Sequence, residues 1–155
     1  MKQKSIRVIA LLLAAVLFMA LLSGCGRKSE IRKQIAAFEA GCRAGSLEQV
    51  LDCFDPQAVQ PIKSALGFLG TDLTELSDLV YSVIGLGGLV SSDQNKAMEM
   101  LQSLQFKPTE YVFNDSKDRC DVTVVVSGAS DGEPFEDEAV LHCVLRDGTW
   151  YLTLD

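Results

Sequence analysis

The chain has 155 residues, a net charge of −7 and a hydrophobic fraction of 48%. The apolar content is too high for a disordered chain, so a packed core is expected. The acidic balance excludes nucleic-acid binding, because a domain of this charge is repelled by phosphate backbones and by anionic lipid headgroups. Once a leader is removed, the remaining length is that of one domain.

The leader is predicted to occupy residues 1–24. Its basic start holds Lys2, Lys4 and Arg7, a pattern that stays on the cytoplasmic side during export. An unbroken apolar run from Val8 to Leu22 follows, and it is shorter than the roughly 20 residues that a membrane-spanning helix needs. These two features are typical of a secretory signal peptide.

The apolar run ends in Leu22-Ser23-Gly24-Cys25, which resembles the lipobox of bacterial lipoproteins in order and spacing. Small residues at the cleavage site fit a peptidase cleft, and the thiol of Cys25 accepts the lipid. We therefore expect cleavage before Cys25, a short tether over residues 25–28 and anchoring on the extracytoplasmic face of a membrane. An ordinary signal peptide, or a signal anchor, with a chance cysteine is the alternative. Cleavage removes three basic and no acidic residues, which changes the net charge from −7 to −10.

Helical periodicity dominates the chain from residue 29 to about residue 104. The first helix is predicted from Ile31, Ile35, Phe38 and Cys42, with Gly45 suited to a left-handed stop. Ser46 and Gln49 have the spacing of a capping box that opens a second helix. Further helices are predicted over residues 57–69, 71–84 and 93–104, with a glycine-rich apolar run at residues 85–90.

The remainder is predicted to form antiparallel strands. Asp131-Gly132 and Asp147-Gly148 are two-residue hairpin signals, and each fixes a register. The first turn places Cys120, Val122 and Val124 opposite Cys143, Leu141 and Ala139. The second places Leu145, Cys143 and Leu141 opposite Trp150, Leu152 and Leu154. Both turns put the same residues of the shared strand on one apolar face, and an earlier strand over residues 109–114 is expected to add Tyr111 and Phe113.

Helices followed by a twisted antiparallel sheet predict an α+β fold. Over roughly residues 29–155 the chain resembles the nuclear transport factor 2-like superfamily. The resemblance rests on the turn Ala44-Gly45-Ser46, the alternating strand from Asp121 to Val126 and the closing hairpin from Gly148 to Leu152. It implies one cone-shaped domain, with N-terminal helices packed on a curved sheet. The apolar helical region over residues 61–104 departs from the family plan. Its segment Leu79–Val90 is expected to cap the open end of the cone or to meet a partner, and a plain buried helix is the alternative.

Enzymes of that superfamily place carboxylates, tyrosine or histidine inside the cone. The inward face inferred here holds neither a carboxylate nor a histidine, so no catalytic residue and no cofactor is predicted. These side chains and the helices are expected to fill one core. The alternative is an apolar cleft that takes a hydrophobic ligand, with Tyr111 and Trp150 at its polar edge. The candidate cleft residues are Tyr111, Phe113, Val122, Leu141 and Trp150.

Two polar groups of residues are interpreted as surface features. The register places His142 between Asp121 and Thr153 on the outer face, where a cross-strand ion pair is commoner than a catalytic triad. The acidic residues Glu133, Glu136, Asp137 and Glu138 lack the spacing of a calcium loop and are interpreted as a solvated strand edge. No metal site is therefore predicted.

Four cysteines remain once Cys25 carries lipid. Cys120 and Cys143 are the candidate disulfide, because a directly opposed pair has its α-carbons about 5.5 Å apart, within the range that a disulfide spans. Cys42 and Cys53 fit less well, because they are staggered across the turn and Cys53 is expected off the apolar stripe of its helix. Buried free thiols are the alternative for both pairs.

The sequence thus predicts a non-enzymatic, membrane-anchored protein of the cell envelope that binds a partner protein or an apolar small molecule. A structural or accessory protein with a filled core, and an enzyme of unrecognised chemistry, are the alternatives.

Overall fold

The computed structural model describes residues 26–69 and 94–154. The chain divides into two compact units, Met1–Glu30 and Ile31–Asp155, and the core described here lies in the second. The predicted segments over residues 71–84 and 85–90, and with them the expected cap formed by Leu79–Val90, lie outside the described residues.

Helices precede strands along the chain, as predicted for an α+β fold. Helix α1 covers residues 26–44, and it is followed by α2 (Leu47–Asp52), α3 (Pro56–Leu69) and α4 (Gln94–Ser103). The strands are β1 (Gln105–Phe113), β2 (Arg119–Ser130), β3 (Glu133–Arg146) and β4 (Thr149–Leu152). They form an open antiparallel sheet in the order β1-β2-β3-β4.

The two hairpin turns set the register that the sequence predicts. Cys120 lies opposite Cys143, and Cys143 lies in turn opposite Leu152. At both turns the aspartate and the glycine have positive φ, 54° and 81° at residues 131 and 132, and 50° and 81° at residues 147 and 148. Positive φ at both central residues is the signature of the type I′ turn, whose twist matches that of the flanking strands. The predicted register of β2, β3 and the paired part of β4 is confirmed.

Two details of the predicted sheet are wrong. Strand β1 begins at Gln105, four residues earlier than expected, and includes Pro108. Proline is tolerated there because β1 is an edge strand and its register shifts between Pro108 and Glu110 in a β-bulge. Leu154, expected on the inward face, is 42% exposed because β4 ends at Leu152 and the last backbone hydrogen bond to β3 is the one from the Thr153 amide to the His142 carbonyl.

The turn between α1 and α2 is built from local hydrogen bonds. Gly45 has a φ of 61°, and the amides of Gly45 and Ser46 donate to the carbonyls of Cys42 and Gly41. This pair of bonds is a Schellman motif, which ends α1. The Ser46 hydroxyl then accepts a hydrogen bond from the Gln49 amide at 3.3 Å, which confirms Ser46 as the cap of α2.

One glycine lets these two helices approach each other. A Cβ atom added to Gly41 would lie 3.0 Å from both the side chain and the backbone nitrogen of Val50. Contacts that short are tighter than nearly all those that real Cβ atoms make, so a larger residue at position 41 would require α2 to shift by a few tenths of an ångström.

The core lies between the inward face of the sheet and the helices. The predicted apolar stripe of α1 is confirmed, since Ile31, Ile35, Phe38 and Cys42 are all buried. The ring of Phe38 packs edge-on against the rings of Phe54 and Phe106, at centroid distances of 5.8 and 5.3 Å. Phe106 belongs to the part of β1 that the sequence prediction missed.

The free edge of β4 is covered by the segment after α2. The Leu152 amide donates to the Cys53 carbonyl, and the Asp55 amide donates to the Leu152 carbonyl, both at 2.8 Å. Phe54 thereby forms a parallel bridge with Leu152. The short segment Cys53–Asp55 thus acts as a fifth strand where β4 would otherwise end the sheet.

A buried carboxylate holds that segment in place. Asp55 is 5% exposed, and its two side-chain oxygens have different partners. One accepts from the Gln57 amide at 3.0 Å and caps α3, while the other accepts from the Arg146 guanidinium at 3.0 Å. Asp55 therefore joins the start of α3 to the end of β3, a link that the sequence prediction missed.

We predict that Asp55→Ala destabilises the protein by about 2 kcal/mol, because it removes a helix cap and the charge-assisted hydrogen bond between a buried carboxylate and the half-exposed Arg146 side chain. Denaturant unfolding of the mature protein measures this. Asp121→Ala is the matched control, since it breaks an exposed ion pair with His142 and is expected to cost less than about 1 kcal/mol. Equal losses in the two variants would contradict the structural role of Asp55.

Candidate functional site

The five residues of the predicted cleft share the inward face of the sheet but differ in burial. Val122, Leu141 and Trp150 are 0–1% exposed and belong to the core that includes the helices. Tyr111 and Phe113 are partly buried and pack against that core. The rings of Phe113 and Trp150 meet edge-on at a centroid distance of 5.8 Å. The five residues therefore form a packed face, with Tyr111 and Phe113 at its rim.

The packing around Trp150 satisfies its backbone carbonyl but not its indole nitrogen. Its backbone carbonyl accepts a hydrogen bond from the Gln34 side chain of α1 at 2.7 Å. Its indole Nε1 is buried and has no hydrogen-bond acceptor among the residues described. A buried donor without a partner costs about 1–3 kcal/mol, so an acceptor delivered by a ligand would be favourable here.

An open cleft of about 490 Å³ lies elsewhere, beside the β2–β3 hairpin and the end of α4. The Ser103 hydroxyl joins these elements: it accepts from the Ala129 amide at 2.8 Å and donates to the Met100 carbonyl at 2.7 Å. A Cβ atom at Gly128 would lie 3.0 Å from both the Phe135 ring and the Ser103 hydroxyl, so glycine is needed for this close packing. The cleft is lined by Ser103, Gln105, Ser127, Gly128, Ala129, Pro134, Phe135 and Glu136.

Sequence reasoning did not find this cleft. Its lining consists mainly of small and polar residues without a recognisable motif, and four separate elements, α4, β1, β2 and β3, contribute to it. One signal was available: Gly128 interrupts a strand that is otherwise rich in valine, which often marks a close approach of another chain segment.

The acidic residues predicted as a solvated strand edge adjoin the cleft. Glu133, Glu136, Asp137 and Glu138 are all exposed on β3. In the turn before them, Asp131 forms an ion pair with Lys96 of α4. The hairpin end of the sheet therefore presents negative charge around the cleft.

His142 and Asp121 occupy the outer face in the predicted register. The imidazole Nδ1 lies 2.8 Å from an Asp121 oxygen, and both side chains are about half exposed, at 44% and 59%. The Thr153 amide donates to the His142 carbonyl, a backbone contact. This geometry is that of a solvated cross-strand hydrogen bond, which is an ion pair only when the imidazole is protonated and which stabilises little at this exposure. In residues 26–69 and 94–154 no three histidine, cysteine, aspartate or glutamate residues are grouped to hold a metal ion.

The four cysteines are buried free thiols in this structure and fall into two neighbouring pairs. Burial raises the pKa of Cys143 to about 12, with its partner Cys120 adding to the rise. Burial likewise raises the pKa of Cys42 to about 12, with neighbouring Cys53 as the second cause. A disulfide between Cys120 and Cys143 stays a prediction, and their direct pairing across β2 and β3 is the geometry on which it depends.

Cys53 differs from its prediction. It was expected off the apolar stripe of α2, but it is 3% exposed, and burial raises the pKa of its thiol to about 11. The reason is the chain path after α2: residue 53 starts the segment that pairs with β4 and faces the core. The Cys53 thiol also donates to the Gln49 carbonyl at 3.3 Å.

No known protein family matches the chain, and no curated protein matches it. Of the helices that the structure describes, none is both long and apolar enough to cross a membrane.

The raised pKa values of the thiols predict a loss of stability at alkaline pH. A thiol with a higher pKa in the folded than in the unfolded chain stabilises the fold fully below about pH 9, and this contribution disappears as the pH rises through the folded value. We expect the free energy of unfolding of the fully reduced protein to fall steadily above pH 9, as measured by denaturant titration. In oxidised protein, a Cys120–Cys143 disulfide would leave these two thiols nothing to ionise. The free energy of unfolding would then fall less above pH 9. A flat profile for the reduced protein would contradict the burial of the thiolates.

Proposed function

We propose that this protein is a lipoprotein of the cell envelope, anchored through lipid on Cys25 to the extracytoplasmic face of a membrane. The observation that carries the proposal is the tetrapeptide Leu22-Ser23-Gly24-Cys25 directly after an apolar run of signal-peptide length. Gly26 follows Cys25 directly in the sequence, and residues 26–44 are helical, so the proposed anchor adjoins helical residues. The domain then acts close to the membrane that holds it.

We further propose that the domain is a non-enzymatic module that binds a partner protein. Burial of Val122, Leu141 and Trp150 supports a filled interior, and it therefore favours a binding surface on the outside of the fold. The open cleft beside the β2–β3 hairpin is such a surface. Membership of the nuclear transport factor 2-like superfamily is part of this proposal. Helices that pack on one face of an antiparallel sheet support it.

The path of α1 supports this view of the cleft. Gln34 contacts Trp150, close to the β3–β4 turn, whereas Glu39 accepts from the Phe106 amide near the start of β1. Helix α1 therefore runs from the β3–β4 turn toward the opposite end of the sheet, where the cleft lies. Strand β2 has 12 residues and spans about 40 Å between these ends, at about 3.3 Å per residue. The cleft thus lies at the end of the sheet remote from Gln34.

One observation favours a second candidate, an apolar ligand held inside the fold. The buried indole Nε1 of Trp150 has no acceptor in the described part of the chain, and a ligand oxygen would supply one. Native mass spectrometry of the purified protein tests this candidate. A co-purifying small molecule that disappears in Trp150→Phe supports it, whereas a ligand-free mass leaves the filled core and surface binding in place.

We predict that Cys25→Ser abolishes labelling by radioactive fatty acid and blocks cleavage before residue 25, because serine has no thiol to accept the lipid. The precursor is then expected to accumulate with its leader attached. Cys53→Ser is the matched control: it makes the same chemical change and keeps a donor for the Gln49 carbonyl. A Cys25→Ser protein that is still lipid-labelled would overturn the anchor.

Photo-crosslinking tests the binding surface. A photoreactive amino acid at Glu136 or Gln105, which line the cleft, is expected to give a discrete protein adduct in intact cells. The same amino acid at Glu48 or Gln49, exposed on α2, is expected to give none. Adducts of equal yield from both pairs, or none from the cleft pair, would contradict the role of the cleft.

A further inference from the structure

We propose that Arg32 and Lys33, together with Arg27 and Lys28 before them in the chain, bind anionic lipid headgroups and orient the domain on the membrane. This inference rests on the proposed lipid anchor at Cys25. It adds a second membrane contact made by protein side chains, and it states which end of the domain faces the partner.

The charge of the chain is divided unevenly along its length. Residues 26–33 carry four basic residues and a single acidic one, Glu30. From residue 34 to the end, seven basic residues face twenty acidic ones. A net charge of −10 for the mature chain therefore combines a positive segment of eight residues with a strongly negative body. Anionic headgroups attract the first and repel the second.

The positive segment cannot move far from the anchor. Residues 26–44 are helical, and at about 1.5 Å per residue Lys33 lies roughly 10 Å along the helix axis from Gly26. That distance is close to the screening length of about 8 Å at physiological ionic strength, so the segment stays within reach of the surface potential. Arg32 and Lys33 are both exposed, because the buried stripe of α1 passes through Ile31 and Ile35 instead.

The negative charge farthest from the anchor lies at the opposite end of the sheet. Residues 131–138, which form the β2–β3 turn and the start of β3, carry five acidic residues and no basic one. Gln34, next to Lys33 in α1, contacts Trp150 beside the β3–β4 turn, about 40 Å from the hairpin end along β2. Attraction at one end and repulsion at the other favour the same orientation. The cleft beside the hairpin then faces away from the membrane.

Lysine acetylation of the mature lipidated protein on vesicles tests this orientation. The chain carries reporters at both ends: Lys28 and Lys33 near the anchor, and Lys96 and Lys107 near the hairpin end. Acetylation rates are measured by peptide mass spectrometry on phosphatidylcholine vesicles and on vesicles enriched in phosphatidylglycerol. We expect the rates at Lys28 and Lys33 to fall roughly three-fold or more on the anionic vesicles, and the rates at Lys96 and Lys107 to stay unchanged.

Two variants with the same loss of charge sharpen the test. Arg32→Gln/Lys33→Gln is expected to abolish most of the protection of Lys28 on anionic vesicles. Lys96→Gln/Lys107→Gln, at the hairpin end, is expected to retain it. Equal acetylation rates on the two kinds of vesicle, or an equal slowing at all four lysines, would overturn the proposal. Flotation with the vesicles is scored separately: protein that does not float contradicts the anchor itself, whereas protein that floats without selective protection contradicts only the orientation.

Discussion

The fold depends on β3, which is paired along its length with β2 and at its end with β4. A slip of one residue at either Asp-Gly turn would bring His142 and Val140 to the inward face and expose Leu141 and Cys143 to water. Two turns of the same type, one at each end of the strand, exclude such a slip. The inward face of the sheet then meets the apolar stripe of α1, and the outer face carries polar residues such as Asp121 and His142 together with the exposed valines Val112 and Val140.

Both edges of this sheet are closed by residues from the helical half. The segment Cys53–Asp55 pairs with β4, and the link from Asp55 to Arg146 holds it there. At the other edge, the Phe106 amide points away from β2 and donates to Glu39 of α1 at 2.8 Å. The backbone nitrogen of Pro108, two residues later in β1, lies on the same side of the strand and carries no hydrogen to donate. The sheet is thus protected from pairing with another chain near the start of β1 and along β4.

Much of this fold could be predicted because its signals are local. The register follows from two dipeptides, the end of α1 from Gly45 and the cap of α2 from Ser46. The missed features all join residues that are far apart in the chain. Asp55 meets Arg146, Glu39 meets Phe106, and the cleft combines Ser103 with both strands of a hairpin. The spacing of residues along the sequence does not reveal contacts between such distant positions. Likewise, Pro108 fits in β1 because β1 is an edge strand, and which strand lies at the edge is known only once the sheet is assembled.

The proposed anchor, orientation and cleft form one account: lipid holds the basic start of the domain on a membrane, and the far end is presented to a partner. The intact mass of the protein extracted from membranes tests its central claim most directly. The account predicts a chain that begins at Cys25 and carries the added mass of a lipid, which tandem fragmentation locates on that cysteine. A chain that begins at another residue, or one that begins at Cys25 without added mass, would contradict it.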